Sequence, residues 1–231
     1  MQIKDLWVGY PHAQPLLRLE EFHIPLGSCI ALVGKNGSGK STFLQTLSGL
    51  QAPIKGAVFI NSKSLHSYSL PERAACLSFF KTLPAIGFGL TVKDLIHINP
   101  LNRTLLGTKD PLYQSILEDF QLHQVLNEPL SRLSDGWYQK ALISRAFIQN
   151  TPYVIMDEPT LYLDVFAKKS FFLLIQKACR IYNRTIIFST HDLLEMESYT
   201  DAVWTVEQER LNTYNITQWL QTGKSRFMNN N

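Results

Sequence analysis

Gly34, Lys35, Asn36, Gly37, Ser38, Gly39, Lys40, Ser41 and Thr42 follow directly on the apolar run Cys29 to Val33. Two glycines separated by four residues, then lysine and a hydroxyl residue, have the spacing of a phosphate cradle. The glycines let successive backbone N–H groups face an anion, and the next helix adds its positive end. Lys40 supplies a cation and Ser41 a hydroxyl for Mg²⁺. The apolar run before the loop and the helical spacing of Phe43, Leu44 and Leu47 after it are the strand and helix this chemistry needs. The predicted ligand is a nucleoside triphosphate.

A second chemical signal is Asp157-Glu158-Pro159-Thr160, which ends the apolar run Tyr153 to Met156. Two adjacent carboxylates at the carboxyl end of a buried strand lie where phosphate-loop proteins hold magnesium, so Asp157 is the candidate metal ligand. Glu158 can orient or deprotonate an attacking water. An acidic turn after a strand is common by itself, and only the phosphate loop in the same chain turns the reading toward metal and water.

The elements around these residues predict an α/β fold. Gln2 to Val8, Arg18 to Ile24, the strand ending at Val33 and Gly56 to Ile60 alternate and turn like a small antiparallel sheet. From about Thr91 to Asn127 apolar residues take helical spacings, among them Val92, Leu95, Ile96 and Leu112, Ile116, Leu117, Phe120. Tyr153 to Met156 and Thr185 to Phe188 read as strands buried on both faces and separated by a helix, which implies a mostly parallel sheet. Val203 to Val206 and Leu211 to Tyr214 predict a closing hairpin. The expected organisation is one domain over residues 1–222 with a polar, frayed tail at 223–231.

Composition narrows the setting. The 231 residues are 45% hydrophobic with a formal net charge of +3, and no basic run suggests a nucleic-acid arm. Cys29, Cys76 and Cys179 are scattered, without metal-ligand spacing, and read as thiols in a reducing compartment. No leader pattern and no apolar stretch near 18 residues is visible. The expectation is a cytoplasmic chain that reaches any membrane through a partner.

With these motifs in order, the sequence resembles the ATP-binding cassette (ABC) family from about residue 2 to about residue 215. Leu133-Ser134-Asp135-Gly136-Trp137-Tyr138-Gln139-Lys140 is similar to that family's LSGGQxQR signature, Leu161 to Asp164 to its D-loop, and Ser189-Thr190-His191-Asp192 to its switch histidine segment. The resemblance implies the ABC ATPase fold: a P-loop core, an antiparallel β-subdomain and a helical subdomain inserted at about 84–150. It also implies that two copies sandwich two ATP molecules head to tail and drive transport through separate membrane permease subunits. Ser134 and Gly136 would cap the γ-phosphate held by the opposite copy, Tyr10 would stack on adenine, and His191 would contact the γ-phosphate. The implied cofactors are ATP and Mg²⁺.

The pattern is broken in places. Asp135 stands where the family has glycine, and Trp137 where it has glutamine or glutamate. A carboxylate about 4 Å from a γ-phosphate would repel it by several kcal/mol at an effective dielectric near 20. Folded back as a helix N-cap it would instead stabilise the helix by about 1 kcal/mol, and the second arrangement is expected. Thr82 aligns with the family's magnesium-ligating glutamine, from which it is two atoms short. These departures leave open a regulatory or catalytically weak cassette, and a nucleotide-driven machine on nucleic acid or ribosomes is a further alternative. Thr160 to Asp164 is similar to cassettes of metal-chelate importers for siderophores, haem or cobalamin.

Overall fold

The computed structural model describes residues 1–82, 89–98 and 106–230. Among them, strands β1 (Gln2–Val8), β2 (Leu17–Leu19), β3 (Phe22–His23), β4 (Cys29–Gly34), β5 (Lys55–Ile60), β6 (Lys63–Ser64), β7 (Leu77–Lys81), β8 (Tyr153–Asp157), β9 (Thr185–Ser189), β10 (Ala202–Glu207) and β11 (Arg210–Asn215) form one sheet. Its order is β6-β5-β1-β2-β11-β10-β4-β9-β8-β7, with β3 beside β1. The helices are α1 (Lys40–Leu47), α2 (Leu70–Cys76), α3 (Val92–His97), α4 (Pro111–Asp119), α5 (Asp135–Ile148), α6 (Val165–Arg180), α7 (Leu193–Met196), α8 (Ile216–Gln218) and α9 (Lys224–Asn230).

Period-2 alternation explains how the central strands are covered. Every residue of β4, β8 and β9 is buried. Cys29, Ala31 and Val33 face the layer containing α5 and α6, whereas Ile30 and Leu32 face α1 and β1. β8 divides in the same way, Val154 and Met156 against Tyr153 and Ile155. Side chains of this size gain roughly 1.5–3 kcal/mol each on full burial, so both layers are held by the same strands. Phe171, Phe172 and Phe188 meet edge to face at centroid distances of 5.4 to 6.1 Å and fix α6 onto β9.

Parallel pairing of β10, β4, β9, β8 and β7 brings the carboxyl ends of β4, β9 and β8 side by side. The hairpin β10–β11 is as expected, its turn formed by Gln208 and Glu209, both at positive φ. The helical pattern after residue 91 is α3 and α4. Both start with side-chain caps, Thr91 with Asp94 and Asp110 with the Leu112 N–H. The proposed start of that insertion, residue 84, lies outside the described residues.

Three expectations are corrected. The strand ending at Val33 does not join the antiparallel layer; it lies between β10 and β9 in the parallel core, because both of its faces are apolar. The segment Arg18 to Ile24 is two strands, β2 and β3, interrupted at the exposed Glu20 and Glu21. The end of the chain is not a frayed tail over 224–230. It is the helix α9, held by Phe227, which is buried against Trp219 at 5.9 Å between ring centroids; Asn231 lies outside the described residues.

Candidate functional site

The phosphate loop leaves β4 at Gly34 and enters α1 at Lys40 through Gly39, whose φ of 100° is a left-handed conformation that glycine adopts without strain. Lys40 is 6% exposed. Its ammonium donates to the carbonyls of Gly34 at 2.7 Å and Lys35 at 3.0 Å. Burial lowers its pKa, and the Glu158 and Asp157 carboxylates partly raise it again. Ser41 is half-buried and Thr42 is buried on the first turn of α1, while Asn36 and Gly37 are exposed at the tip of the loop. The Ser38 hydroxyl is buried without a hydrogen-bond partner among the described residues.

Asp157 ends β8 and is buried. Ser189, at the end of β9, donates its hydroxyl to Asp157 Oδ1 at 2.8 Å and accepts the Glu158 N–H at 2.8 Å. One serine thereby sets the direction of both carboxylate residues. Glu158 Oε1 lies 2.8 Å from His191 Nε2. An ionised carboxylate only accepts, so the proton of that bond belongs to the imidazole. Behind His191, Asp192 receives Lys168 Nζ at 2.8 Å and Thr160 Oγ1 at 3.3 Å, which ties the loop after β9 to the loop after β8.

Lys40, Asp157, Glu158 and His191 thus come together from three adjacent strand ends. Ser41 and Thr42 accompany Lys40 on α1. Tyr10 is exposed at the start of a turn closed by the Ala13 N–H on its carbonyl. The same loop ends at Leu16, whose side chain lies against Gly39, so Tyr10 belongs to a segment bordering the phosphate loop. An arrangement of one buried cation, paired carboxylates and a histidine is suited to holding a polyphosphate and directing water at it.

Ser134 and Gly136 have other neighbours. Ser134 caps α5 by accepting the Trp137 N–H at 3.5 Å. This corrects the expectation that Asp135 would be the cap: Asp135 is the first residue of the helix and is exposed. A hydroxyl one position earlier takes the capping geometry, and Asp135 is left to favour the helix dipole from the first turn. The Lys140 ammonium lies 4.4 Å from the Trp137 ring centroid, and the tryptophan, partly buried, packs against the core on the α5 side of the sheet. Ser189 and Gln139 are functional candidates without an assigned role in the sequence reading. Ser189 could have been found as the polar end of a strand paired in parallel beside the Asp157 strand.

A separate groove of about 640 Å³ runs between α2, β7 and α5, lined by Leu70, Leu77, Phe79, Leu142 and Arg145. Burial lowers the pKa of Arg145, and its Nε has no hydrogen-bond partner among the described residues.

The profile of the ABC transporter family matches residues 17–161. The achromobactin transport ATP-binding protein of Dickeya dadantii is 30% identical over 203 residues, covering 86% of this chain and 75% of that relative. The iron(3+)-hydroxamate import ATP-binding protein of Bacillus subtilis is 32% identical over 200 residues, covering 84% and 73%. A solved structure described as the ATP-binding subunit of an ABC transporter superposes with a TM-score of 0.81 at 28% identity, covering 96% of this chain and 92% of its own.

Proposed function

This chain belongs to the ABC transporter family, as an ATP-binding and ATP-hydrolysing subunit, and from that premise we propose how its residues divide the work. Residues 1–222 act as one ATPase unit. Lys40 and the backbone amides from Gly34 through Asn36, Gly37, Ser38 and Gly39 to Ser41 and Thr42 hold the β- and γ-phosphates, and Tyr10 stacks on adenine. The Ser41 hydroxyl and Asp157 carboxylate are hard oxygen donors of the kind Mg²⁺ takes alongside phosphate oxygens and water. Bound there, the ion would neutralise phosphate charge.

Glu158 orients the attacking water and accepts its proton. His191, hydrogen-bonded to Glu158, holds that carboxylate and offers a positive or neutral donor to the γ-phosphate. Ser134 and Gly136 act on the nucleotide held by a second copy, because the start of α5 presents an N–H-rich helix end with a small hydroxyl. The observation that carries this reading is the convergence of Lys40, Asp157, Glu158 and His191 at neighbouring strand ends. Its test is the Glu158→Gln chain in saturating Mg-ATP, weighed by light scattering. A stable dimer is expected; a monomer at saturation overturns the sandwich.

The membrane permease subunits would dock in the groove between α2, β7 and α5, where Leu70, Leu77 and Phe79 offer apolar contact and Arg145 an Nε that has no partner among the described residues. The chain would then work at the cytoplasmic face of the membrane; no helix of the described residues is long and apolar enough to cross it. Nucleic acid is not an expected partner, given the mild net charge. Metal chelates of the siderophore type are the proposed cargo, supported by the names of the relatives. The exposed Asp135 favours a second reading, nucleotide binding with slow turnover, and steady-state hydrolysis with the membrane partner distinguishes the two.

A further inference from the structure

Gln139 lies in the second turn of α5 with 0% of its surface exposed. A buried primary amide needs partners for its donors and its acceptor. Its Nε2 donates to Pro159 O at 2.7 Å and to Glu158 O at 3.4 Å. Its Oε1 accepts from Thr82 Oγ1 at 3.1 Å. One amide therefore joins the residue after β7, the helix α5 and the backbone that carries Glu158.

That backbone is unusual. Glu158 has a φ of 51°, a left-handed conformation that persists in a residue with a side chain only when its surroundings hold it. Its N–H is held by Ser189 Oγ, and its carbonyl accepts from the Leu161 N–H at 3.4 Å as well as from Gln139. The first turn of α5 presses on the same loop. A Cβ at Gly136 would stand 3.1 Å from Tyr162 O, and Lys140 Nζ lies 3.8 Å from Asp164 Oδ2.

We propose that Gln139 is a positioning residue for ATP hydrolysis, its amide clamping the peptides that follow Glu158 while the Thr82 hydroxyl satisfies the oxygen of that amide and anchors its far side. The proposal rests on the reading that Glu158 handles the attacking water. Without the Thr82 hydroxyl, Oε1 is buried without its donor, and the amide is held from one side only, by the Pro159 and Glu158 carbonyls. The Glu158 peptide then loses a restraint on one side, and the carboxylate spends less time aimed at the water. Thr82 in this chain serves the clamp; its short side chain reaches Gln139 without reaching for a metal.

The test compares steady-state Mg-ATP hydrolysis by the full-length wild type with Thr82→Val, Thr82→Ser, Gln139→Leu, the Thr82→Val/Gln139→Leu pair and Glu158→Gln. Thr82→Val keeps the shape and removes the hydroxyl, so kcat falls about fivefold while KM for ATP stays within about twofold. Thr82→Ser retains most of the activity. Adding Thr82→Val to Gln139→Leu costs nothing further, because both act through one amide. If Gln139→Leu does not fold, the Thr82 pair decides alone. The clamp is overturned if Thr82→Val matches wild type, if Thr82→Ser loses as much as Thr82→Val, or if the loss lies in KM. Hydrolysis that survives Glu158→Gln removes the underlying reading of Glu158 instead, an outcome separate from those three.

Discussion

The strand ends and the start of α5 are built on opposite plans. At the strand ends each reactive side chain is already engaged: Lys40 with two loop carbonyls, Asp157 with Ser189, Glu158 with His191. At the start of α5, Ser134 and Asp135 are exposed and oriented only by the helix they begin. The first region is wired internally and needs a nucleotide to exchange one set of partners for another. The second is a donor surface that meets no anion among the described residues. Under the proposed pairing of two copies, the outward half of one would complete the inward half of the other.

The largest effect should come from the internal half. Glu158→Gln is expected to lower hydrolysis by about a thousandfold, in the range of a lost general base, while ATP binding measured by calorimetry persists. Lys40→Ala should weaken Mg-ATP binding about a hundredfold in the same calorimeter, since it removes a charged donor from a buried phosphate contact. Equal binding by that variant and wild type would break the comparison at its root.

The outward half is sharpened by Asp135→Gly, which removes a carboxylate from the donor surface. Turnover should rise about fivefold with little change in thermal stability, because Ser134 and not Asp135 caps the helix. The smallest effect concerns pH. Burial lowers the Lys40 pKa in the free chain, and bound phosphates favour its charged form and raise it again. The complex therefore holds more proton than the free protein, and affinity falls by about two- to threefold as pH rises through the lowered pKa. Calorimetry in buffers of different ionisation enthalpy should register proton uptake on binding at alkaline pH and none near neutrality.

Much of the internal half was legible because its chemistry is encoded in contiguous spacing. Gly34 to Thr42 and Asp157-Glu158 announce themselves after apolar runs, and the parallel core follows from strands apolar on both faces. What escaped depended on contacts between distant segments. The strand ending at Val33 reads equally well beside β1 or between β9 and β10, and only the finished sheet decides. Ser134 and Asp135 are both good capping residues, so a shift of one position in the helix start reverses their roles. Trp219 and Phe227 stand in a largely polar stretch, and composition hides an anchor that two rings supply. The role of Gln139 needs Thr82 and Pro159, 57 and 20 residues away, to be beside it.

α5 is fastened to the parallel core at both ends. Gln139 ties its second turn to Pro159, and buried Arg184, just before β9, donates to Phe147 O at 2.8 Å and Asn150 Oδ1 at 2.6 Å at its far end. A beam bolted in this way cannot relieve a sideways load by sliding along its length. A load on its outer flank is instead shared between the loop that carries Glu158 and the segment that enters β9, so the helix acts as a brace between two parts of the core.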